Sequence, residues 1–558
     1  MTDDKINGAH NQPESPSSET SASTPLPDQL EESMSPTIEP EASEAKFSDS
    51  RPIFKSEVEN PQYENVDNLQ IEQTELRPEE VEADVLTPDS SSEVQGGGLT
   101  QPPADPVSVQ SDKSPLSSLL GDNRGKLFIL VGGVFFFFFI LIILLGLLFG
   151  RKKQDVKLVY WGLWEEKSVY EPLIKEYKTK NPNVSIVYEK KTPQEYREKL
   201  LTQGKKGIGP DIFRFHNTWI PEIKEIVAPI DRTVLSNEEF EQTFYPIHQK
   251  DLKVENQYFG IPLMIDGLVL LYNDNLFKKA GLSRAPVSWE DITTMAGQLT
   301  VKDKTNRIIT SGIALGTANN IDHFSDIFGL FLVQNGAADI TKLDSKEAAG
   351  ALQAYRGFAE ANGVPPKNVW DEQMPNSLTA FTQEKVAMII VPSWRILEIK
   401  TANPDLQLKV APVPVLPGSQ PISVASYWVE GVSKYSKNQK EAWKFLQFLS
   451  QKENMTKLYE NEVKAHNLFG EPYSRVDLGS SLKNDPYLGP VITQASVFAS
   501  IPTISVTFDG DSGLNDGINK YIEKAITATS QGDAYDSALK TAKEGIDEIL
   551  GRFEIIQP

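Results

Sequence analysis

Every tryptophan of the chain lies beyond residue 150: Trp161, Trp164, Trp219, Trp289, Trp370, Trp394, Trp428 and Trp443. Trp161, Trp164, Trp219 and Trp394 sit at or just after short apolar runs, with Asp, Asn and Arg side chains close by in sequence. Flat apolar rings beside such groups suit a sugar, whose C–H faces stack and whose paired hydroxyls take bidentate hydrogen bonds. Trp443, inside the amphipathic run Glu441–Ser450, reads instead as core. Bond-breaking chemistry is poorly represented. No GxSxG, HExxH or Walker loop is present, and Gly204, Gly207 and Gly209 precede a strand, the wrong order for a phosphate cradle. His10, His216, His248, His323 and His466 have no metal-ligand spacing. Asp509-Gly510-Asp511-Ser512-Gly513 resembles a calcium loop, but Leu514 and Lys520 stand where that loop needs a glycine and a bidentate acid. Glu165-Glu166 could be a carboxylate pair, yet neighbours on an extended chain point apart, so a solvated loop is expected. With no cysteine, disulfides, thiolate metal sites, cysteine nucleophiles and a lipidated N-terminal cysteine are all excluded. The expectation is a binding protein with no catalytic residue, metal or cofactor.

The elements that must hold those rings are legible as alternating patterns. Lys157–Trp161, Val184–Tyr188, Asp211–Phe215, Leu268–Tyr272, Ala387–Val391 and Leu408–Val413 read as strands, and Val169–Lys180 as an amphipathic helix. Ser288 with Asp291 starts a capped helix running to about Leu299. Strands alternating with helices imply an α/β fold. The roughly 400 residues after residue 153 exceed one comfortable core, so two lobes are expected. In open α/β sheets ligands bind beyond the strand C-termini, where several of the tryptophans sit.

The rest of the chain differs in character. The whole chain carries 55 Lys and Arg against 77 Asp and Glu, a net −22. Residues 1–125 hold 7 basic and 26 acidic side chains, a net −19, which leaves −3 for everything after them. That balance argues against nucleic-acid binding, which needs a basic face. Rich in Ser, Pro, Thr and Glu, residues 1–125 cannot bury enough apolar surface to offset chain entropy and read as a disordered acidic tail. From Leu127 to Gly150 run 24 residues with no charge, bounded by Lys126 and by Arg151-Lys152-Lys153. At 1.5 Å per residue they span about 36 Å, against a hydrocarbon core of about 30 Å, so residues 126–150 read as one transmembrane helix.

Four segments of the C-terminal region resemble the extracellular solute-binding proteins of family 1, the maltose-binding-protein-like receptors of ABC importers. They are VKLVYWGLWEE with its helix and the turn Asn181-Pro182-Asn183, GIGPDIFRFHNTW, YFGIPLMIDGLVLLYNDNLFKKAGL with the capped helix at Ser288, and FTQEKVAMIIVPSW with the later helix NQKEAWKFLQFLS. The resemblance runs in order over about residues 155–550. It implies a two-lobed periplasmic-binding-protein-like fold of type II over residues 154–558. Lobe 1 would be about 155–264 and 425–472, and lobe 2 about 267–421 and 475–555. The crossovers would lie near Pro262–Gly267, Pro421–Ser426 and Asn467–Ser474. It places Asp266 on an acidic ligand-contacting position and Phe215 and Trp394 on aromatic stacking positions. It also puts His216, Asn217 and Trp219 in a loop that supplies polar contacts, although the family's Asp-Arg pair there reads Thr218-Trp219. Asn319 and Asn320 lie in a cleft-reaching loop, and Trp161, Trp164, Glu165, Tyr427 and Trp428 complete the expected ligand-binding set.

The implied function is a solute-binding receptor, with a sugar as the expected ligand and ABC permease subunits as partners. An uncleaved helix at 127–150 would tether it to the cell membrane, tail in the cytoplasm and binding domain outside. The positive-inside count points the other way, with Lys113, Arg124 and Lys126 before the helix and Arg151, Lys152, Lys153, Lys157 and Lys167 after it. Two other readings stand beside this one: a glycan-active enzyme with paired carboxylates across the cleft, and a sensor signalling through its tail.

Overall fold

The computed structural model of the protein describes residues 132–140, 154–360, 368–501 and 503–556. The acidic tail lies outside them. Of the apolar run 127–150, only residues 132–140 fall within them, and these are helical, with the rings of Phe135–Phe139 exposed. Among the described residues no helix is long and apolar enough to cross a membrane.

The strands that matter are β1 (Val156–Gly162), β2 (Val184–Lys190), β3 (Ile212–His216), β4 (Leu268–Asn273), β5 (Met388–Pro392), β6 (Leu408–Ala411), β7 (Ser423–Val424), β8 (Trp428–Val432) and β9 (Phe498–Ala499). The first sheet has the order β8–β3–β1–β2; β1 runs parallel to β2 and β3, and β8 antiparallel to β3. Helix Lys167–Lys180 makes the crossover from β1 to β2, burying Val169, Tyr170, Leu173 and Tyr177. The second sheet, β6–β4–β5, is antiparallel throughout. Every residue of β3, β4 and β5 is buried, so these strands are covered on both faces. The expected strands are therefore present within one to two residues at their ends. β8 was not expected, and it turns the edge of a parallel sheet into an antiparallel pair. The helix starting at Trp289 runs to Leu299, with Ser288 Oγ accepting the Asp291 N–H at 3.1 Å.

Three chain segments connect the two sheets and bond to one another. Ile261 N–H donates to Glu430 O at 2.9 Å, Ile265 N–H to Pro472 O at 2.9 Å and Ser426 N–H to Asp266 O at 3.0 Å. Ser474 Oγ donates to Pro262 O at 2.8 Å. Gly267 is required at this junction, because a Cβ there would collide with the Val424 carbonyl and the Phe498 ring.

Inside the first half, Arg214 of β3 is almost wholly buried. Its Nε donates to Glu430 Oε1 at 2.7 Å, directly across from it on β8. Nη1 donates to Glu471 Oε1 at 3.0 Å, and Nη2 to the Tyr170 hydroxyl at 2.9 Å. Glu462 accepts the Glu471 N–H at 2.7 Å, and burial holds both the Glu462 and Glu471 carboxyls above their ordinary range. Removing one partner of such a buried cluster leaves uncompensated charge and costs about 3–5 kcal/mol. Arg214→Met is expected to lose stability of that order in urea unfolding at pH 8. Part of the loss is regained at pH 5, because burial holds the Glu471 carboxyl above its ordinary range and it can take up a proton there. An equal loss at both pH values would contradict the electrostatic account.

Candidate ligand-binding site

The C-terminal ends of β1 and β3 open into loops that carry Trp164 and the run His216–Trp219, and β8 begins at Trp428, paired with His216. These ends bring four aromatic rings together. The Trp428 centroid lies 5.7 Å from Trp164, 5.4 Å from Trp219 and 5.2 Å from His216, each edge to face. Phe508, from the segment before helix Leu514–Ser530, comes within 6.4 Å of Trp164. Trp164 is 37 % exposed and Phe508 42 %, so this cluster presents open ring surface, whereas Trp219 is buried and its Nε1 donates to Thr507 Oγ1 at 2.9 Å.

A second group stands on the other half. Trp394, half-buried before helix Arg395–Ala402, has the Arg395 guanidinium 4.1 Å above its ring and the His323 ring edge-on at 5.6 Å. Arg395 Nε pairs with Asp322 at 2.9 Å, and His323 Nδ1 with Asp326 at 2.8 Å. The two groups meet at His216. Burial pushes its imidazole down to about 3, with Asp326 opposing and His323 reinforcing that shift. The neutral ring lies 2.9 Å from Thr218 Oγ1 and 3.1 Å from Ser426 Oγ.

The remaining expected contacts are engaged inside the protein. Phe215 has no open stacking face, because Val227, Val429, Gly260 and Gly431 crowd around the strand that carries it. Trp161 is buried, its Nε1 donating to Glu189 at 3.1 Å and its ring covered by Lys191 Nζ at 4.5 Å. Asn217 Nδ2 and the Tyr427 hydroxyl both donate to Asp251 Oδ2 at 2.9 Å, which pins the loop rather than offering it to a ligand. Asn320 donates to Asp371 O and Met374 O, while Asn319 beside it is exposed. Glu165 is buried and pairs with His466 at 3.3 Å, so the solvated-loop reading of Glu165-Glu166 holds only for Glu166. Asp509 and Asp511 are likewise occupied. Asp509 accepts the N–H groups of Asn515 and Asp516 at the start of helix Leu514–Ser530, and Asp511 pairs with Lys520 at 2.6 Å. Among the described residues no group of three or more His, Asp or Glu is set to hold a metal ion.

Asp266 also has a different role from the expected one. Its carboxyl accepts the N–H groups of Gly267, Ser393 and Trp394 at 2.7, 3.2 and 3.3 Å, anchoring the backbone from which Trp394 projects. Burial raises it to about 7 despite those three donors. The participants that sequence reasoning missed are Phe508, Thr507, His323, Asp326 and Ser426. Phe508 carried a signal, an aromatic residue in a turn-rich run, but the acidic residues after it drew the reading towards calcium.

A family model for bacterial extracellular solute-binding proteins matches residues 161–456, just over half of the chain, and the chain belongs to that family. A binding protein of Brucella abortus is 25 % identical over 304 residues, 52 % of this chain and 71 % of that one. The maltodextrin-binding protein MdxE of Bacillus subtilis is 24 % identical over 406 residues, 67 % of this chain and 88 % of that one. The sugar-binding protein MalE of Xanthomonas citri superposes with a TM-score of 0.58 at 20 % identity, over 72 % of this chain and 100 % of that one. Such neighbours are two-lobed and mix helices with sheets, and the fold here is of that type.

Because the folded-state value of Asp266 lies above its ordinary 3.8, the stability it confers is complete below 3.8 and is lost as pH rises through about 7. Between pH 5 and pH 8 the wild type should lose more unfolding free energy than Asp266→Asn, by more than about 1 kcal/mol. Equal losses in denaturant titrations would show that Asp266 does not titrate there.

Proposed function

We propose that this solute-binding protein is a receptor for a carbohydrate, held between its two lobes and delivered to a membrane permease without chemical change. The observation that carries the reading is the open aromatic surface that Trp164, Trp428 and Phe508 form at the strand ends. Such rings suit the C–H faces of a sugar, and the Arg395–Asp322 pair beside Trp394 suits its hydroxyls. The maltodextrin-binding relative supports the class of ligand. The lobes are taken to divide near residues 264–267, 421–426 and 472–475, where the three crossing segments are bonded side by side. A ligand that touches both lobes favours the closed state by whatever contacts the open state lacks.

Residues 127–150 serve in this reading as a membrane tether, with the tail in the cytoplasm and the binding domain outside. Confinement beside the permease would raise the receptor's effective concentration there.

A thermal-shift screen of maltodextrins, other oligosaccharides, peptides and polyamines against the protein is expected to find stabilisation by an oligosaccharide. Trp164→Ala and Trp428→Ala should each weaken that binding about tenfold, or about 1.4 kcal/mol. Stabilisation by another class and by no sugar would overturn the reading, and turnover of the sugar would replace a receptor with an enzyme. Protease added to intact cells should trim the binding domain; full protection would reverse the topology.

A further inference from the structure

The loop that carries Trp164 is fastened at the residue that follows it. The Tyr188 hydroxyl donates to Glu165 O at 2.8 Å, and it passes Gly162 so closely that a Cβ there would collide with it. The Glu165 side chain, itself buried, forms an ion pair with His466 Nε2 at 3.3 Å. His466 is the last residue of helix Lys452–His466, and Asn467, with φ of 58°, begins the third crossover. That helix is fixed to the first lobe. Asn461 Nδ2 donates to Val169 O at 3.0 Å, and Lys457 pairs with Glu176 at 2.7 Å. His466 thus stands between the loop of an exposed ring and the start of a segment that joins the lobes.

Both nitrogens of its imidazole face oxygen acceptors. Nδ1 donates to Phe469 O at 3.3 Å, and a carbonyl can only accept, so Nδ1 carries a proton. In the neutral ring Nε2 would then turn a lone pair on the Glu165 carboxylate. Only the imidazolium offers an N–H to both partners. The other charged groups nearby are mostly acidic. Glu471 lies on the crossover, Glu462 one turn earlier on the same helix, and Glu430 behind them on β8. Arg214 is taken by Glu430 and Glu471, and Lys190 by Glu166. No other cation pairs with Glu165 among the described residues.

We propose that His466 is a positioning residue for Trp164: its imidazolium clamps the Trp164 loop to the start of the third crossover, and the clamp opens when the ring loses its proton. The Glu165 carboxylate holds the imidazole above its ordinary 6.5, against the effect of burial. With the folded-state value raised, the stabilisation is complete below 6.5 and is lost as pH rises through that folded-state value. Trp164 is then held in place for a ligand in acidic surroundings and is freer in alkaline ones. The consequence for binding rests on the carbohydrate reading, but the test uses no ligand, so the two can fail separately.

The full chain labelled with fluorotryptophan carries a fluorine probe at each tryptophan, and Trp164→Phe identifies the resonance of Trp164. Between pH 5 and pH 9 that resonance should move in one step, with its midpoint above 6.5. The Cε1 proton of His466, identified by its loss in His466→Gln, should titrate with the same midpoint. In His466→Gln the Trp164 resonance should keep one position over the whole range. If that variant does not fold, Glu165→Gln, whose amide can face either form of the ring, should behave likewise. A Trp164 resonance that is unmoved in the wild type, or a step that survives in the folded variants, would overturn the clamp.

Discussion

The first lobe is organised around a buried arginine. Arg214 sits mid-strand on β3, where an apolar side chain would ordinarily stand, and its guanidinium joins β8 through Glu430, helix Lys167–Lys180 through Tyr170, and the start of the third crossover through Glu471. A charge so deeply buried is tolerable only with its hydrogen-bonding groups paired. That requirement fixes how β8, the first helix and the crossover stand relative to β3. The strand end from which His216, Asn217 and Trp219 emerge is held in the same frame. The aromatic cluster is therefore placed by electrostatics two residues upstream as much as by apolar packing.

This arrangement also explains which parts of the fold could be read from sequence. β4 and β5 are apolar runs of strand length, uniform because every residue in them is buried, and β1 and β3 are short runs rich in β-branched and aromatic residues. The capped helix at Ser288 declares itself through a local hydrogen bond. β8 does not. Its sequence, Trp428-Val429-Glu430-Gly431-Val432, puts a charge and a glycine inside five residues, and the partner that neutralises Glu430 lies 216 positions away. Periodicity sees only local order, so a strand stabilised by a distant ion pair escapes it.

The site shows the same limit at finer grain. Aromatic residues beyond the strand ends do gather, but residue type does not tell which side of a strand or loop a ring occupies. Phe215 and Trp428 lie on strands that pair with each other; one is sealed in the core and the other meets three aromatic rings. Asn217, Tyr427 and Asn320 look like polar contacts by composition, yet their hydrogen bonds hold the loops in shape. Phe508 and Asp326 come from segments far apart in sequence, which only the folded chain brings together, through the Val506 N–H donated to Asp326. Family membership and fold depend on many residues and were legible; the roles of single side chains depend on local neighbours and were not.

Asp266 gives the arrangement a mechanical character. It lies on the segment that joins the lobes, and its carboxylate grips the backbone at Ser393 and Trp394. Any rotation of that joining segment is thus geared to the base of the Trp394 ring. In a receptor that closes about this segment the ring would ride as a jaw on the hinge, its angle of approach set by how far the segment turns.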